Sequence, residues 1–496
     1  MIFRKRYTTS TRVKGFREVW GGVSVVAFFL GMATIVVSIL LGRSYAFYVS
    51  FLAFSLIMTL LWRKAYRPLV FLTSISASIP IPIARQQIAC NLIFALWFAI
   101  LNMKYIFRLP KWIYVTTALV VIGILTSSFN WISDNFVRSL LRQGAFAYNF
   151  FLAPFLLLPM VYLRMNDSRD HAANLQGLLF CLIVPSTLIL ISAKLFGSVA
   201  NAWQASLHIG SLGEGYLEYQ LGKVIVEFTR TAVGFILAAL ICASTAVTVS
   251  QIKGLYRLLA AACLALNTFL LFATGSFGSI FASLCGLAAI FFTQVHTINI
   301  KKALLSVAIT CCLLLLIYGL SPPSTKEYLA IRYEHRIVNT DTDRLTLWTR
   351  AIDAFLEHPE GVGLTYTVGE KIKSNPHNDY IVYAVSYGAI GGLAYPFLVA
   401  GLLIYFFRSR MRRTEDNSAL AINLAGQGVI VALAVNSMTD NIGANRWYFN
   451  VIWSLIWYSY FCSKAAQREQ VPKKIKHKKG ISRRTAFHEE SQQTLD

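Results

Sequence analysis

Apolar runs about as long as a bilayer is thick recur along almost the whole of this sequence, separated by short segments rich in Lys and Arg. A spanning helix needs about 20 consecutive apolar residues. Fourteen segments approach that length, at roughly 22–41, 45–62, 69–84, 86–101, 112–129, 144–163, 174–195, 229–249, 255–273, 275–295, 302–320, 379–406, 418–438 and 447–463. Backbone polar groups in hydrocarbon must find partners within the chain, so this pattern predicts a bundle of helices. Composition agrees: 56% of the 496 residues are hydrophobic and 14% are charged, where a soluble chain carries about 25% charged residues. A water-soluble globular domain and a disordered chain are both excluded. Pro68, Pro80 and Pro82 flank or interrupt the third and fourth segments, which read either as two spans or as one re-entrant hairpin. The expected fold class is therefore all-α, a polytopic transmembrane helical bundle of about 12 to 14 spans with a large, partly helical periplasmic loop.

The net charge of +23 would suggest nucleic acid if it were spread evenly. Instead the cations cluster between apolar runs and in the two tails, and short Lys/Arg-rich loops stay cytoplasmic. With the N-terminus inside, the inner loops carry Arg63, Lys64 and Arg67; Lys104, Arg108 and Lys111; Arg164 and Arg169; Lys253 and Arg257; Lys301 and Lys302; and Arg408, Arg410, Arg412 and Arg413. Together with the tails they hold roughly two thirds of the basic residues, so both termini are assigned to the cytoplasm. The expected organisation is a basic N-terminus over 1–21, a bundle over 22–463, and a basic tail over 464–496 whose KKIKHKK run anchors on anionic lipid. The first apolar run is too long for a cleaved signal peptide and is kept as a helix. Cys90, Cys181, Cys242, Cys263, Cys285, Cys311, Cys312 and Cys462 all lie in or beside apolar runs without C-x-x-C spacing, and read as packing residues.

This topology places two polar loops outside, at about 196–228 and 321–378. In the second, Leu345, Trp348, Ile352, Phe355 and Leu356 follow the spacing of an amphipathic helix, with an N-cap signal at Asp341–Asp343. His358-Pro359 ends that helix, and Gly361 and Gly363 mark a turn. The loop reads as a lid against the outer membrane surface, with a mobile loop as the alternative. The DTD run also matches a metal-binding D-x-D, but capping explains it better.

Ionisable groups near outer span ends are where chemistry is expected, because charge at the bilayer centre is costly. Arg230 opens the eighth span and Arg344 opens the loop helix. An arginine at a helix N-terminus opposes the macrodipole, so Arg344 needs either a nearby anion or a salt bridge to Asp341. NPHNDY at 375–380 places His377 where the large loop meets a span. His transfers protons near neutrality, and Asn378 and Asp379 would hold its ring in one tautomer. The alternative is a helix cap with an interfacial His. Trp203, Tyr216, Tyr219, Tyr366 and Trp447 suit sugar stacking or, more simply, an interfacial aromatic belt.

The run R-L-T-L-W from Arg344, HPEGVGL at 358–364, PHNDY, and Tyr387-Gly388-Ala389-Ile390-Gly391 together resemble the bacterial O-antigen ligase and O-antigen polymerase superfamily. That resemblance implies an integral inner-membrane glycosyltransferase. Such an enzyme transfers a glycan from undecaprenyl pyrophosphate to an acceptor sugar hydroxyl on the periplasmic face, in lipopolysaccharide or other cell-surface polysaccharide biosynthesis. The acceptor is lipid A-core for a ligase and the next repeat unit for a polymerase. The resemblance assigns catalysis to His377 and Arg344 and an outer-face arginine to Arg230. Substrate binding is expected to extend to Asn378, Asp379 and Trp348. The chain departs from the pattern at TGSFG, where Phe277 replaces an arginine. Two guanidinium groups would stabilise charge on the pyrophosphate leaving group, and the imidazole would accept the acceptor's proton. No cofactor and no metal are expected. Partners would be the lipid-linked donor, the acceptor glycan, membrane lipid, and a chain-length or export protein. A transporter of the same lipid is the reading from another class; it fits less well, since neither an internal repeat nor charged mid-span helices are evident.

Overall fold

A computed structural model describes residues 80–83, 86–89, 107–128, 155–156, 158–163, 170–195, 216–221, 224–250, 252, 254–274, 276–294, 342–363, 376–409, 417–439 and 451–468, with isolated positions between 319 and 330. The candidate spans at 22–41 and 45–62, all of 302–320 but Gly319, the D-x-D run at its first residue, the N-terminal tail, the C-terminal tail beyond 468, Trp203, Tyr366 and Trp447 lie outside the described residues.

Among the described residues, most of the long apolar runs form helices near their expected limits. These are α1 (Lys111–Ser128), α2 (His171–Leu195), α3 (Arg230–Val249), α4 (Leu255–Thr274) and α5 (Phe277–Gln294). After them come α6 (Thr342–Glu357), α7 (Asp379–Arg408), α8 (Asn417–Thr439) and a last helix, α9, over 451–468. Among the described residues, three helices are long and apolar enough to cross a membrane, within α4, α7 and α8, and four shorter apolar helices accompany them. Local chemistry sets the ends. Asp170 caps α2 by accepting from the Ala173 amide at 3.0 Å. Ser276 caps α5, its carbonyl accepting from the Ile280 amide and its hydroxyl meeting that of Ser279 at 2.9 Å.

Two short antiparallel hairpins interrupt this helical pattern. β1 (Pro80–Ile83) pairs with β2 (Gln86–Ala89), where the third and fourth candidate spans meet. Proline removes a helical donor and clashes with the preceding turn, so a helix does not continue to residue 84. β3 (Tyr216–Leu221) pairs with β4 (Val224–Thr229), ordering the end of the 196–228 segment directly before α3.

α8 is buried along most of its length and packs against α2, α3, α5 and α7. Small residues allow the close approaches, as is usual where apolar attraction between helices is weak. A Cβ at Gly391 of α7 would lie 2.7 Å from the Gly123 Cα of α1. Gly428 of α8 backs onto Ile290 of α5 and Cys242 of α3. Gln427, fully buried, accepts from Thr293 at 3.0 Å and donates to the Ala289 carbonyl at 3.3 Å. Cys181, Cys242, Cys263 and Cys462 are buried, consistent with a packing role.

α7 differs most from its sequence reading. The span expected at 379–406 is two helical arms that reverse direction at Gly388 (φ 69, ψ −172). Along an uninterrupted helix, Tyr380 and Tyr395 would stand about 22 Å apart. Here their ring centroids are 5.3 Å apart, and Tyr383 stacks on Tyr395 at 4.5 Å. The first arm, 379–387, therefore folds back along the second, 389–408. The second arm runs antiparallel to α8, with Asn423 donating to the Ser409 carbonyl and Tyr395 meeting Ser437 at 2.6 Å.

Candidate functional site

The last turn of α8 organises this end of the bundle. Terminal carbonyls of a helix have no acceptor role left within it and carry its negative pole. Arg344 Nη1 donates to the Thr439 carbonyl at 2.9 Å, and Asn378 Nδ2 donates to the Met438 carbonyl at 3.3 Å. Arg344, opposed by its own helix dipole, is thus placed at the favourable pole of another. That partner is neither of the two the sequence suggested; Asp341 lies outside the described residues.

The turn that carries His377 is held at both ends. Before it, the Trp348 indole N–H donates to the Pro376 carbonyl at 2.7 Å. After it, Asn378 caps the first arm of α7 by accepting from the Ile381 amide at 3.2 Å. Between them His377 is half-buried with φ 49. A left-handed non-glycine backbone costs on the order of 1–3 kcal/mol and persists only where its surroundings over-determine it. Asp379 is fully buried at the positive pole of the arm's N-terminus. The Asn378 amide is committed to the cap and to α8, and Trp348 uses its N–H on the backbone. Both residues position the histidine turn.

The second structural feature in this region is a backbone interlock. Because the α7 helix breaks at Gly388, the carbonyls of Val385 and Ser386 lose their helical donors. The amides of Val362 and Gly363 replace them, each at 2.9 Å, and the Ala389 amide donates to the Pro359 carbonyl at 2.8 Å. The HPEGVG turn is therefore threaded into the break, satisfying two carbonyls and one amide that the break exposes. Contact is backbone to backbone: a Cβ on Gly361 (φ 98) would lie 2.8 Å from the Ser386 oxygen, and one on Gly388 would lie 2.5 Å from the Pro359 oxygen. A small apolar cluster of Ala351, Ala354, Val362 and Val385, backed by Leu347, Phe355 and Ile381, seats α6 on the first arm.

Helix register brings the other sequence candidates to the same level. Gly278, beside Phe277 at the start of α5, packs against Thr439. Gly234 of α3 packs against Ser276 and Ser279, and Cys242 of α3 meets Gly428 of α8. Twelve residues back along α3 and eleven forward along α8 then bring Arg230 level with Thr439. The N-termini of α3, α5 and the first arm of α7 thus gather where α8 ends, an electrostatic setting that favours an anion. Sequence reading missed Met438, Thr439 and the Gly361–Gly388 interlock. Carbonyl oxygens carry no signature in a sequence, and the glycines read only as a turn and a helix start.

Residues 260–396 match the family model described as O-antigen ligase. The matched segment runs from α4 into the second arm of α7 and contains Phe277, Arg344, Trp348 and His377–Asp379; Arg230 lies outside it. The match supports the O-antigen ligase and polymerase superfamily, whose members are glycosyltransferase-like enzymes of O-antigen biosynthesis. With the apolar helices, it fits an integral membrane protein of polysaccharide biosynthesis. No curated protein matches the chain.

Proposed function

We propose that this chain, similar over residues 260–396 to O-antigen ligases, transfers a glycan from undecaprenyl pyrophosphate to an acceptor sugar hydroxyl at the periplasmic face of the inner membrane. The observation that carries this reading is the meeting of Arg344, the 376–378 turn and the start of α3 at the last turn of α8.

In the reaction the acceptor oxygen attacks the anomeric carbon and the carbon–oxygen bond to pyrophosphate breaks. The acceptor's proton passes to His377, and undecaprenyl pyrophosphate leaves with the bonding electrons. Arg230 and Arg344 stabilise the charge that develops on the leaving group. A guanidinium has five N–H donors, so the bond to Thr439 orients Arg344 without exhausting it. Fixed cations and helix N-termini act strongly in a water-poor site because they need no reorganisation during the reaction. Trp348, Asn378 and the buried Asp379 hold the imidazole in place, and proximity of this kind accounts for much of a transferase's advantage over solution.

Glycan electrophoresis of cells carrying His377→Ala or Arg344→Ala tests the reading. Loss of transferred glycan with normal membrane insertion is expected, and an unchanged profile from both variants refutes it. In a deletion strain, polymer accumulating on the lipid carrier with unmodified core indicates ligation. Core bearing a single repeat would reassign the same site to polymerisation. Transfer by purified protein in detergent, where there are no two compartments, excludes a transporter.

A further inference from the structure

The apolar residues of α6 divide into two sets, only one of which is covered by protein. Leu347, Ala351, Ala354 and Phe355 face the first arm of α7. Leu345, Ile352 and Leu356 are 66%, 49% and 69% exposed. At about 100° per residue these three fall within a stripe some 40° wide beside the docked face. Thr346, Arg350, Asp353 and Glu357 occupy the remaining side, where Arg350, Asp353 and Glu357 are exposed.

The depth of this stripe follows from the reversal in α7. The second arm, Ala389 to Arg408, is about 30 Å long, the thickness of the hydrocarbon layer, so Gly388 lies near one boundary. The antiparallel register of Tyr395 with Ser437 and of Ser409 with Asn423 makes Thr439 level with Leu393. That is about 7 Å inside the boundary. α6 is tied to both levels, through Arg344 to Thr439 at its start and through the Gly361–Gly388 interlock just past its end. Its length therefore runs obliquely from inside the hydrocarbon edge up to the boundary. At the same levels the second arm turns Ile390, Leu393 and Phe397 outward, 45%, 51% and 58% exposed.

We infer that α6 is an embedded interfacial helix whose Leu345, Ile352 and Leu356 contact the acyl chains of bilayer phospholipid, continuing the lipid-facing surface of α7, while Arg350, Asp353 and Glu357 face water. Immersion of an amphipathic helix by about 5–10 Å is typical of this arrangement, and the depth read from the register falls in that range. The covered face fixes α6 to the histidine turn through Trp348, so the bilayer itself helps to hold the site. This inference goes beyond the proposed transfer reaction and stands or falls separately from it.

The test is photo-crosslinking of the full-length chain in vesicles of phosphatidylethanolamine and phosphatidylglycerol, with p-benzoylphenylalanine placed singly at 352, 356, 353, 346 and, as the span reference, 397. Mass spectrometry should find phospholipid adducts at 352 and 356 in yields close to that at 397, and at least about tenfold less at 346 and 353. Equal yields on the two sides of α6, adducts at 352 and 356 no more frequent than at 353, or cross-links from 352 and 356 to this chain or a second copy would each overturn the inference. None of these outcomes depends on catalytic activity, so a failed transfer assay leaves the result readable.

Discussion

Gly388→Ala is the sharpest perturbation of the interlock. At φ 69 and ψ −172 the residue occupies backbone space that is essentially reserved for glycine. The added methyl would lie 2.5 Å from both the Glu360 and the Pro359 carbonyl oxygens. If the backbone holds its course, strain costs on the order of 1–3 kcal/mol. If it yields, the three hydrogen bonds of Val362, Gly363 and Ala389 are released, at about 1 kcal/mol each, and more where no water replaces them. The first route costs about 1–3 kcal/mol and the second about 3 kcal/mol or more, a fall in apparent Tm of a few degrees for a chain of 496 residues. The comparison is Gly401→Ala on the same helix, where the nearest atoms to a new Cβ are Trp112 ring carbons at 3.8 and 3.9 Å. That change is an ordinary contact and gains about 0.5–1 kcal/mol of helix preference. The assay is thermal unfolding of purified protein in detergent beside glycan profiles of complemented cells. Gly388→Ala should lower Tm and abolish product, and Gly401→Ala should do neither. Equal Tm values for the two variants would refute the argument that the threaded turn holds the break.

Trp348→Phe keeps the ring's packing but removes the N–H that fixes Pro376. Transfer should slow about tenfold, equivalent to about 1.4 kcal/mol, with membrane insertion unchanged, as measured by rate in detergent. Asn378→Ser retains a capping oxygen but cannot reach Met438, so it should cost about 1 kcal/mol, whereas Asn378→Ala loses both bonds and should cost about 2, read as successive drops in Tm. Arg230→Lys keeps the charge but not the planar fork, so transfer should fall while donor binding persists, measured by retention of lipid-linked glycan on the purified variant. Added EDTA should leave transfer unchanged, because two guanidinium groups and helix N-termini meet the leaving group's charge; inactivation that divalent metal reverses would overturn that assignment.

Among the described residues, most of the helical framework is legible in the sequence, because apolar length is a local property of the chain. The ends of α2, α3, α4, α5 and α8 fall within a few residues of the runs that predicted them. The amphipathic helix at 342–357 was legible for the same reason, but the identity of its buried face was not. Leu345, Ile352 and Leu356 share its apolar sector, yet protein covers Ala351 and Ala354 instead. Periodicity reports which residues avoid water; it does not report whether protein or lipid replaces the water. The hairpin at 80–89 was partly legible through Pro80 and Pro82, which bar a helix without specifying a strand.

Residue chemistry by itself determined that the chain is built for a bilayer and marked His377, Arg344 and Arg230 as candidates for acid–base and anion work, since charge and hydropathy belong to side chains. Tertiary structure decided how those groups are held. The reversal at Gly388 brings the histidine turn down beside the end of α8, and the Met438 and Thr439 carbonyls anchor Asn378 and Arg344. These contacts are made by backbone atoms common to every residue. Their geometry arises only when distant segments meet, so no spacing along the chain encodes them visibly.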